Sequence, residues 1–97
     1  MVNLSKVVGF EWDKWNIDKS YRKHGITPRE AEEIFLDEDI NFAEDVEHSQ
    51  KEVRYSALGK TSESKLLFIV FTIRGNKIRI ISARQANRKE RRFYEKV

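Results

Sequence analysis

Hydrophobic residues recur at helical spacing early in the chain and at alternating spacing from about residue 40 onward. Asp13 has a side chain suited to cap a first helix of about ten residues, and Gly25 supplies the left-handed conformation that ends one. The stripe predicted to be buried consists of Ile17, Tyr21 and His24. This segment therefore predicts an amphipathic helix.

A second helix has the clearest local signature in the chain. Thr27 stands at the capping position, Pro28 at the first helical position, and Glu30 three residues after the cap. Ile26 before the cap and Ala31 inside the helix are spaced to pack against each other as a hydrophobic staple. Both ends of this first turn are thus specified locally.

Beyond residue 40 the alternation of apolar and polar positions predicts a sheet. The run over residues 65–73 is apolar almost throughout, which is typical of a central strand covered on both faces. Gly75 and Asn76 then form a two-residue hairpin signal. The four predicted strands lie around Ile40 and Phe42, around Val53, Tyr55 and Ala57, over residues 65–73, and over residues 77–83.

The last predicted element is a helix from Arg88 to about Lys96. Asn87 and Glu90 repeat the spacing of a capping box, and the expected packing edge is Phe93, Tyr94 and Val97. The element order describes one α+β domain over residues 1–97. We expect two N-terminal helices, a four-stranded, mainly antiparallel sheet and one C-terminal helix.

Composition narrows the class of protein. The 97 residues suffice for one hydrophobic core, and a charged content of 36% is typical of a soluble protein. The chain has no cysteine, which excludes disulfides and thiolate metal sites, and its two histidines fall short of the usual zinc ligand count. No apolar run approaches the roughly 20 residues needed to cross a bilayer. We therefore expect a cytoplasmic protein with no membrane association.

Charge is unevenly distributed. Residues 74–97 carry nine Lys or Arg against two Glu, so a net charge of +3 for the whole chain divides into about +7 there and −4 elsewhere. This excess predicts a surface for a polyanion such as RNA or DNA. The acidic span over residues 30–52 is either a solvated surface or a recognition surface for a basic partner.

Several classes of enzyme lack their local motifs. The sequence contains no phosphate-binding Gly-rich loop, no dinucleotide fingerprint, no Gly-x-Ser-x-Gly and no His-Glu-x-x-His. Cationic side chains can nevertheless support one metal-free reaction, the cleavage of RNA by its own 2′-hydroxyl. Positioned cations stabilise the charge that the phosphate gathers, and a general base and acid speed the proton transfers. No cofactor and no metal are required.

Arginines are the main candidates for that chemistry. Arg79 points away from the face of Ile78 and Ile80 in the fourth predicted strand, and Arg84 lies at its end. The planar guanidinium suits two-point contact with phosphate. On the last helix, Arg88 shares a face with Arg91 and Arg92. The alternative is that these arginines pair with the acids of residues 44–52.

Other candidates have two interpretations each. His24 either interacts with the end of the first helix or transfers protons, and His48 either orders its acidic loop or transfers protons. Glu90 is expected to cap the last helix and also to orient Arg84 or Arg88. Trp12 and Trp15 are expected to be core residues more often than base-stacking platforms.

Motifs along nearly the whole chain resemble the BrnT toxins. They are Phe10-Glu11-Trp12-Asp13, Lys23-His24-Gly25-Ile26-Thr27, Glu30-Ala31, Asp45-x-Glu47-His48-Ser49, Arg54, Gly59, Arg74-Gly75, Arg79-Ile80-Ile81-Ser82-Ala83-Arg84 and Glu90-Arg91-x-x-Tyr94-Glu95. The order and spacing of the full set are specific, although each piece alone is weak. Ser20 departs from the pattern, which has asparagine there.

The resemblance implies a ribonuclease of a bacterial type II toxin–antitoxin pair with a RelE-like fold. Its implied partner is BrnA, a small ribbon-helix-helix antitoxin, and operator DNA would be bound only through the complex of the two. The implied active surface joins Lys23 and His24 to Arg54, Arg79, Arg84 and Arg91.

These indications combine into one leading hypothesis, a metal-independent endoribonuclease that inhibits translation. Arg79 and Arg84 hold the scissile phosphate, and Arg91 stabilises the transition state. Further roles are phosphate contacts by Lys23, Arg54, Arg88 and Arg92, and proton transfer by His48 or His24. Two alternatives stay open: a non-catalytic module that binds nucleic acid or a partner with the same basic surface, and a scaffold that only occupies its partner.

Overall fold

The computed structural model describes residue 4, residues 7–48 and residues 51–96. Within these residues, five strands form one mixed sheet in the order β1-β5-β4-β3-β2, with three α-helices around it. The elements are β1 (Gly9–Trp12), α1 (Lys14–His24), α2 (Pro28–Glu33), β2 (Asn41–Glu44), β3 (Tyr55–Lys60), β4 (Leu66–Arg74), β5 (Lys77–Gln85) and α3 (Arg88–Lys96), with short 3₁₀ turns at Ile34–Leu36 and Val46–His48.

The predicted helix boundaries are confirmed. The Asp13 carboxylate accepts a hydrogen bond from the Trp15 amide at 2.8 Å, and Gly25 ends α1 with a left-handed φ of 69°. At α2 the capping box is complete: the Glu30 amide donates to the Thr27 hydroxyl, and the Thr27 amide donates to the Glu30 carboxylate. These short-range bonds satisfy amides that the first helical turn leaves unpaired.

The predicted buried stripe of α1 is wrong. Ser20 is the buried residue of this helix, with 4% of its surface exposed, whereas Tyr21 is 59% exposed and His24 also faces solvent. Ile17 is half-buried. The helix packs against β5, and the small Ser20 side chain permits close approach there.

The sheet has one strand more than expected. β1 was not predicted. It pairs in parallel with β5, with Glu11 opposite Arg79, so the sheet has five strands instead of four and is mixed instead of mainly antiparallel. The predicted hairpin at Gly75 joins β4 to β5 as expected, with a φ of 59° at the glycine. β3 begins at Tyr55. Val53, which was predicted to lie in this strand, precedes the paired segment and is exposed.

A β-bulge interrupts the pairing of β4 with β5. Phe71 lies opposite Ile80 and Val70 lies opposite Ser82, so Ile81 is an extra residue on β5. Side chains alternate between faces along a regular strand, and one extra residue reverses the alternation. Ile80 and Ala83 consequently both reach the main core although they are three residues apart.

The main core lies between one face of the sheet and α2. Ile26, Ala31 and Ile34 pack there against strand residues such as Phe71, and the staple residues Ile26 and Ala31 are both buried as predicted. Phe35 from the 3₁₀ turn meets the Phe71 ring edge-on at 5.3 Å. These contacts explain why the long apolar run of β4 is central and covered.

Helix α3 packs on the opposite face through Tyr94, which joins Leu58 and Leu66 in a second, smaller cluster. The Tyr94 hydroxyl donates to Asp37 Oδ2 at 2.5 Å, and the Lys60 amide donates to the same oxygen at 2.8 Å. Phe93, predicted to pack, is 54% exposed, and Val97 lies outside the described residues. The buried edge of α3 is thus narrower than expected.

Candidate functional site

An open groove lies on the face of the sheet opposite the main core. Its volume is about 470 Å³, and its lining residues are Glu44, Asp45, Arg54, Ser56, Phe68, Val70, Ile81 and Ser82. Strand register explains the floor, because Ser82, Val70 and Ser56 are direct neighbours across β5, β4 and β3. Adjacent strands lie about 4.8 Å apart, so this row spans roughly 10 Å. This row therefore combines the apolar Val70 with two serines, and the lining also includes the charged residues Glu44, Asp45 and Arg54.

The β-bulge determines which side chains of β5 reach this face. Arg79 and Arg84 are five residues apart, and in a regular strand that odd spacing would put them on opposite faces. With Ile81 as the extra residue, Arg79, Ser82 and Arg84 all lie opposite the core residues Ile80 and Ala83. The two arginines are separated by no more than about 17 Å along the strand. They therefore lie at two separate points of the groove face; neither lines the groove itself, although Arg84 stacks on its lining residue Phe68.

Arg79 is held by two carboxylates. Its Nη1 donates to Glu11 Oε1 at 2.7 Å and its Nη2 to Asp13 Oδ2 at 3.1 Å, and the side chain is 20% exposed. Glu11 reaches it because it is the cross-strand neighbour on β1, and Asp13 because it caps α1. Two of the five guanidinium N–H groups are used in this way, so three stay available to another acceptor.

Arg84 is held by Glu90 in a two-point ion pair. Nη1 and Nη2 donate to the two carboxylate oxygens at 2.8 Å each, and the guanidinium lies over the Phe68 ring at 4.4 Å. Glu90 also accepts from the Asn87 amide at 2.9 Å, so it caps α3 at the same time. The hydrogen bonds from Arg84 lower the pKa of Glu90. Both roles predicted for Glu90 are observed, with Arg84 as the arginine it orients.

The alternative, in which arginines pair with acids over residues 44–52, is observed for Arg74 at the hairpin. Arg74 contacts Glu52 at 3.2 Å, and this contact lowers the pKa of the carboxyl. Arg79 instead pairs with acids of β1 and of the α1 cap, and Arg84 pairs with an acid of α3. Glu11 and Asp13 were not among the predicted site residues. The alternation of Phe10 and Trp12 around Glu11 was the signal for that strand.

Three arginines of α3 point into solvent. Arg88, Arg91 and Arg92 are all exposed, and none of them forms an ion pair or side-chain hydrogen bond with another residue that the structure describes. The helix joins the groove through Arg84 and Glu90 at its first turn. A strip of uncompensated positive charge therefore begins beside one end of the groove.

Lys23 and His24 lie at the end of α1, on another surface. Both are exposed, and Lys23 lines a separate depression of about 430 Å³ along this helix. The side chain of His48 lies outside the part of the chain that the structure describes, so its role stays a prediction. The structure thus brings Arg54, Arg79 and Arg84 to one face of the sheet, whereas Lys23 lies on the surface of α1.

The two tryptophans have different environments. Trp12 packs against the main core, as expected, and its indole N–H donates to Glu32 Oε2 at 2.9 Å. Trp15 was also expected to be a core residue, but it is 74% exposed. The reason is that α1 turns its Ser20 side toward the protein, and Trp15 lies on the outward side of the helix.

The described residues contain neither a candidate metal site nor a candidate membrane-spanning helix. No three of their His, Asp and Glu side chains come together in a way that would hold a metal ion. None of their helices has the length and apolar character that a membrane crossing requires.

Comparisons with known proteins identify the family. A family model described as the ribonuclease toxin BrnT of a type II toxin–antitoxin system matches residues 12–90. The 1.1 Å crystal structure of the Brucella abortus ribonuclease toxin BrnT is similar in fold, with a TM-score of 0.66 and 20% identity over 84% of this chain and 100% of that chain. No curated protein matches the chain. Since the family model spans most of the sequence, the chain belongs to the BrnT family of ribonuclease toxins of type II toxin–antitoxin systems.

Proposed function

We propose that this protein is a metal-independent endoribonuclease that cleaves RNA in the bacterial cytoplasm and thereby inhibits translation. Membership of a type II ribonuclease toxin family implies an RNA target and an antitoxin partner. The proposed reaction is attack by the 2′-hydroxyl on the adjacent phosphate, which breaks the bond to the 5′-oxygen of the next nucleotide. The 2′-hydroxyl proton goes to a general base, and the 5′-oxygen receives a proton from a general acid.

The observation that carries this proposal is the shared face of Arg79, Ser82 and Arg84. An RNA strand that follows this face meets the guanidiniums of Arg79 and Arg84, and Arg54 lines the groove on the same face. Cations fixed before the reaction stabilise the extra negative charge of the pentacoordinate phosphate without rearranging during the step. The carboxylates of Glu11 and Asp13 fix Arg79 in this way.

Other residues have supporting roles in this proposal. Arg91 stabilises the transition state, while Arg88 and Arg92 extend the cationic strip along α3 toward neighbouring phosphates. Lys23 contacts a phosphate farther from the groove, and His48 or His24 transfers protons. These assignments are tested one by one through alanine variants.

The product of the reaction is the most direct test. Purified protein should cleave RNA in the presence of EDTA and leave 2′,3′-cyclic phosphate or 3′-phosphate ends, because the 2′-oxygen is the nucleophile. Substrate with 2′-O-methyl groups, which lacks that nucleophile, serves as the matched control and should stay intact. A requirement for Mg²⁺, or products with 3′-hydroxyl ends, would contradict the mechanism.

A BrnA-like ribbon-helix-helix antitoxin is the proposed partner, and the complex of the two is proposed to repress their shared operon. The protein itself is proposed to have a RelE-like fold and to contact operator DNA only within that complex. Co-expression of the antitoxin should relieve growth arrest, and only the complex should shift operator DNA in a gel. Operator binding by the toxin alone would contradict this part.

One observation favours a second candidate function. Arg79 and Arg84 are already engaged by carboxylates, which is also what a non-catalytic binding module would show. Overexpression separates the two candidates. Growth arrest with loss of RNA supports the nuclease, whereas harmless expression with salt-sensitive RNA binding supports the module.

A further inference from the structure

Trp15 is the most exposed tryptophan of the chain and lies amid cations. Its indole is 74% exposed, and the depression beside it is lined by Trp15, Asp18, Lys19, Arg22 and Lys23. A side chain of this size normally buries most of its surface in a core or an interface. Its exposure on a regular helix therefore points to contact with something other than this chain.

Helix geometry places these cations on the Trp15 side of α1. Residues four, seven and eight positions apart share one face, so Lys19, Arg22 and Lys23 follow Trp15 within two turns, a span of about 12 Å. Three positive charges face one negative charge there, that of Asp18. Ser20, the buried residue of the helix, lies on the far side.

We propose that this face of α1, which we call the α1 platform (Trp15, Lys19, Arg22 and Lys23), binds single-stranded RNA by stacking one unpaired base on the Trp15 indole. The lysines and the arginine contact the phosphates on either side of that base. The inference rests on the proposed function, since it gives the RNA substrate a second contact outside the groove.

The composition of the platform favours RNA over a protein helix. An amphipathic helix docks through apolar anchors, and its docking surface needs a continuous apolar area. Here the positions three, four, seven and eight residues after Trp15 are all charged. An aromatic plane bordered by cations is instead the combination that proteins use for single-stranded nucleic acid, where every base offers a π-face and every linkage a negative charge.

The platform is also structurally linked to the groove. Asp13 accepts from the Trp15 amide with Oδ1 and from Arg79 with Oδ2, at 2.8 and 3.1 Å. A single carboxylate therefore fixes the start of the α1 platform relative to Arg79. An RNA strand bound at Arg79 has the start of α1 as its neighbour.

The test is RNA binding by full-length protein, measured by fluorescence anisotropy with a labelled 12-nucleotide single-stranded RNA of mixed sequence. Full 2′-O-methylation of this probe blocks cleavage, so that binding alone is measured. Trp15→Ala should weaken binding about 5- to 150-fold, the range for loss of one stacked base. Trp15→Phe, which keeps an aromatic plane, should retain most of the affinity.

The matched control is Tyr21→Ala, because Tyr21 is an exposed aromatic on a different side of the same helix. It should leave binding unchanged. Inorganic polyphosphate, which offers charge without bases, should bind wild type and Trp15→Ala equally, whereas Lys19→Ala and Lys23→Ala should weaken it. Trp15 lies in solvent, and thermal melting should show that each variant is folded.

Three results would overturn the inference: equal RNA binding by wild type and Trp15→Ala, an equal loss for Tyr21→Ala, or a Trp15→Ala variant that loses antitoxin binding but not RNA binding. Cleavage of unmodified RNA is measured separately. Trp15-dependent binding without cleavage would refute the nuclease and leave the α1 platform standing. If wild type and Trp15→Ala cleave and bind RNA equally well, the α1 platform is refuted and the nuclease proposal is unaffected.

Discussion

Arg84 and Glu90 connect the end of β5 to the first turn of α3 through two parallel hydrogen bonds of 2.8 Å. The same Glu90 carboxylate caps the helix through the Asn87 amide. One charge pair thus both starts α3 and attaches it to the sheet, beside the groove. The placement of the cationic strip on α3 depends on this attachment.

Removing the pair should loosen α3 without unfolding the sheet. Glu90→Gln keeps the capping geometry but loses the charge, so it should cost about 1 kcal/mol, the range for a partly exposed ion pair of good geometry. Urea denaturation of Glu90→Gln, Arg84→Ala and the double variant gives the coupling energy. If the two single effects simply add, the pair contributes nothing of its own.

Arg79→Ala should abolish RNA cleavage while the protein stays folded. We expect a loss of at least about 100-fold, because a fixed cation near the reacting phosphate contributes on that scale. Gel assays on RNA give the rate, and circular dichroism gives the fold. Arg74→Ala is the matched control, since Arg74 also pairs with an acid but lies at the hairpin, two positions beyond Thr72, the cross-strand neighbour of Arg79. Equal losses in both variants would argue against a specific role for Arg79.

Stability should fall in acid through Asp37. Burial raises the pKa of Asp37, but hydrogen bonds from Tyr94, Lys60 and Asp39 outweigh it, so the folded pKa lies below the ordinary value of 3.8. A carboxyl whose pKa is lower in the folded protein than in the unfolded chain stabilises the fold at pH values above the unfolded-state pKa. This stabilisation is lost as the pH falls through the folded-state pKa. The free energy of unfolding should therefore decrease as the pH falls from about 5 to below 3.8.

Tyr94→Phe should make this acid dependence shallower, because the Tyr94 hydroxyl is one of the groups that lower the pKa of Asp37. The same change should cost about 1 kcal/mol at neutral pH. Urea denaturation across the pH range measures both effects. Phe93→Ala, at an exposed neighbouring position, should leave the slope unchanged. An unaltered slope in Tyr94→Phe would contradict the assignment.

Gly59→Ala should destabilise the fold by about 1–3 kcal/mol through overpacking. A methyl group there would lie 3.1 Å from the Ile34 carbonyl oxygen and 3.3 Å from Ile40 Cγ1. Backbone cannot move aside as readily as a side chain, so β3 and the 3₁₀ turn must separate. Gly9→Ala, which meets nothing within 4 Å, is the control for a glycine in a strand. Thermal melting of both variants measures the difference.

Features that depend on neighbouring residues were predictable from the sequence. The capping box of Thr27 and Glu30, the left-handed Gly25 and the hairpin at Gly75 each involve partners within four residues. Such bonds depend on residues that are close in sequence, so residue types and spacing are sufficient to predict these helix ends and this turn. The end of α1, the start of α2 and the β4–β5 hairpin were located along the chain from these signals.

Features that depend on distant partners were not predictable in the same way. The four-residue β1 is a strand only because β5 lies beside it in parallel. The bulge at Ile81 exists only in the register with β4. Exposure of Trp15 depends on which side of α1 meets β5, and Ser20 carries little hydrophobic signal for that choice. The common face of Arg79 and Arg84 therefore required the structure.

The extra residue Ile81 also governs which changes of chain length β5 can accommodate during evolution. Deleting Ile81 would remove the bulge and leave Arg79 and Arg84 four positions apart, so a regular strand would still present both on the groove face and Ala83 to the core. Inserting one residue while the bulge is kept would instead turn Arg84 toward the core. Relatives that share this face should therefore have either the present spacing with a bulge or a spacing shorter by one residue without it.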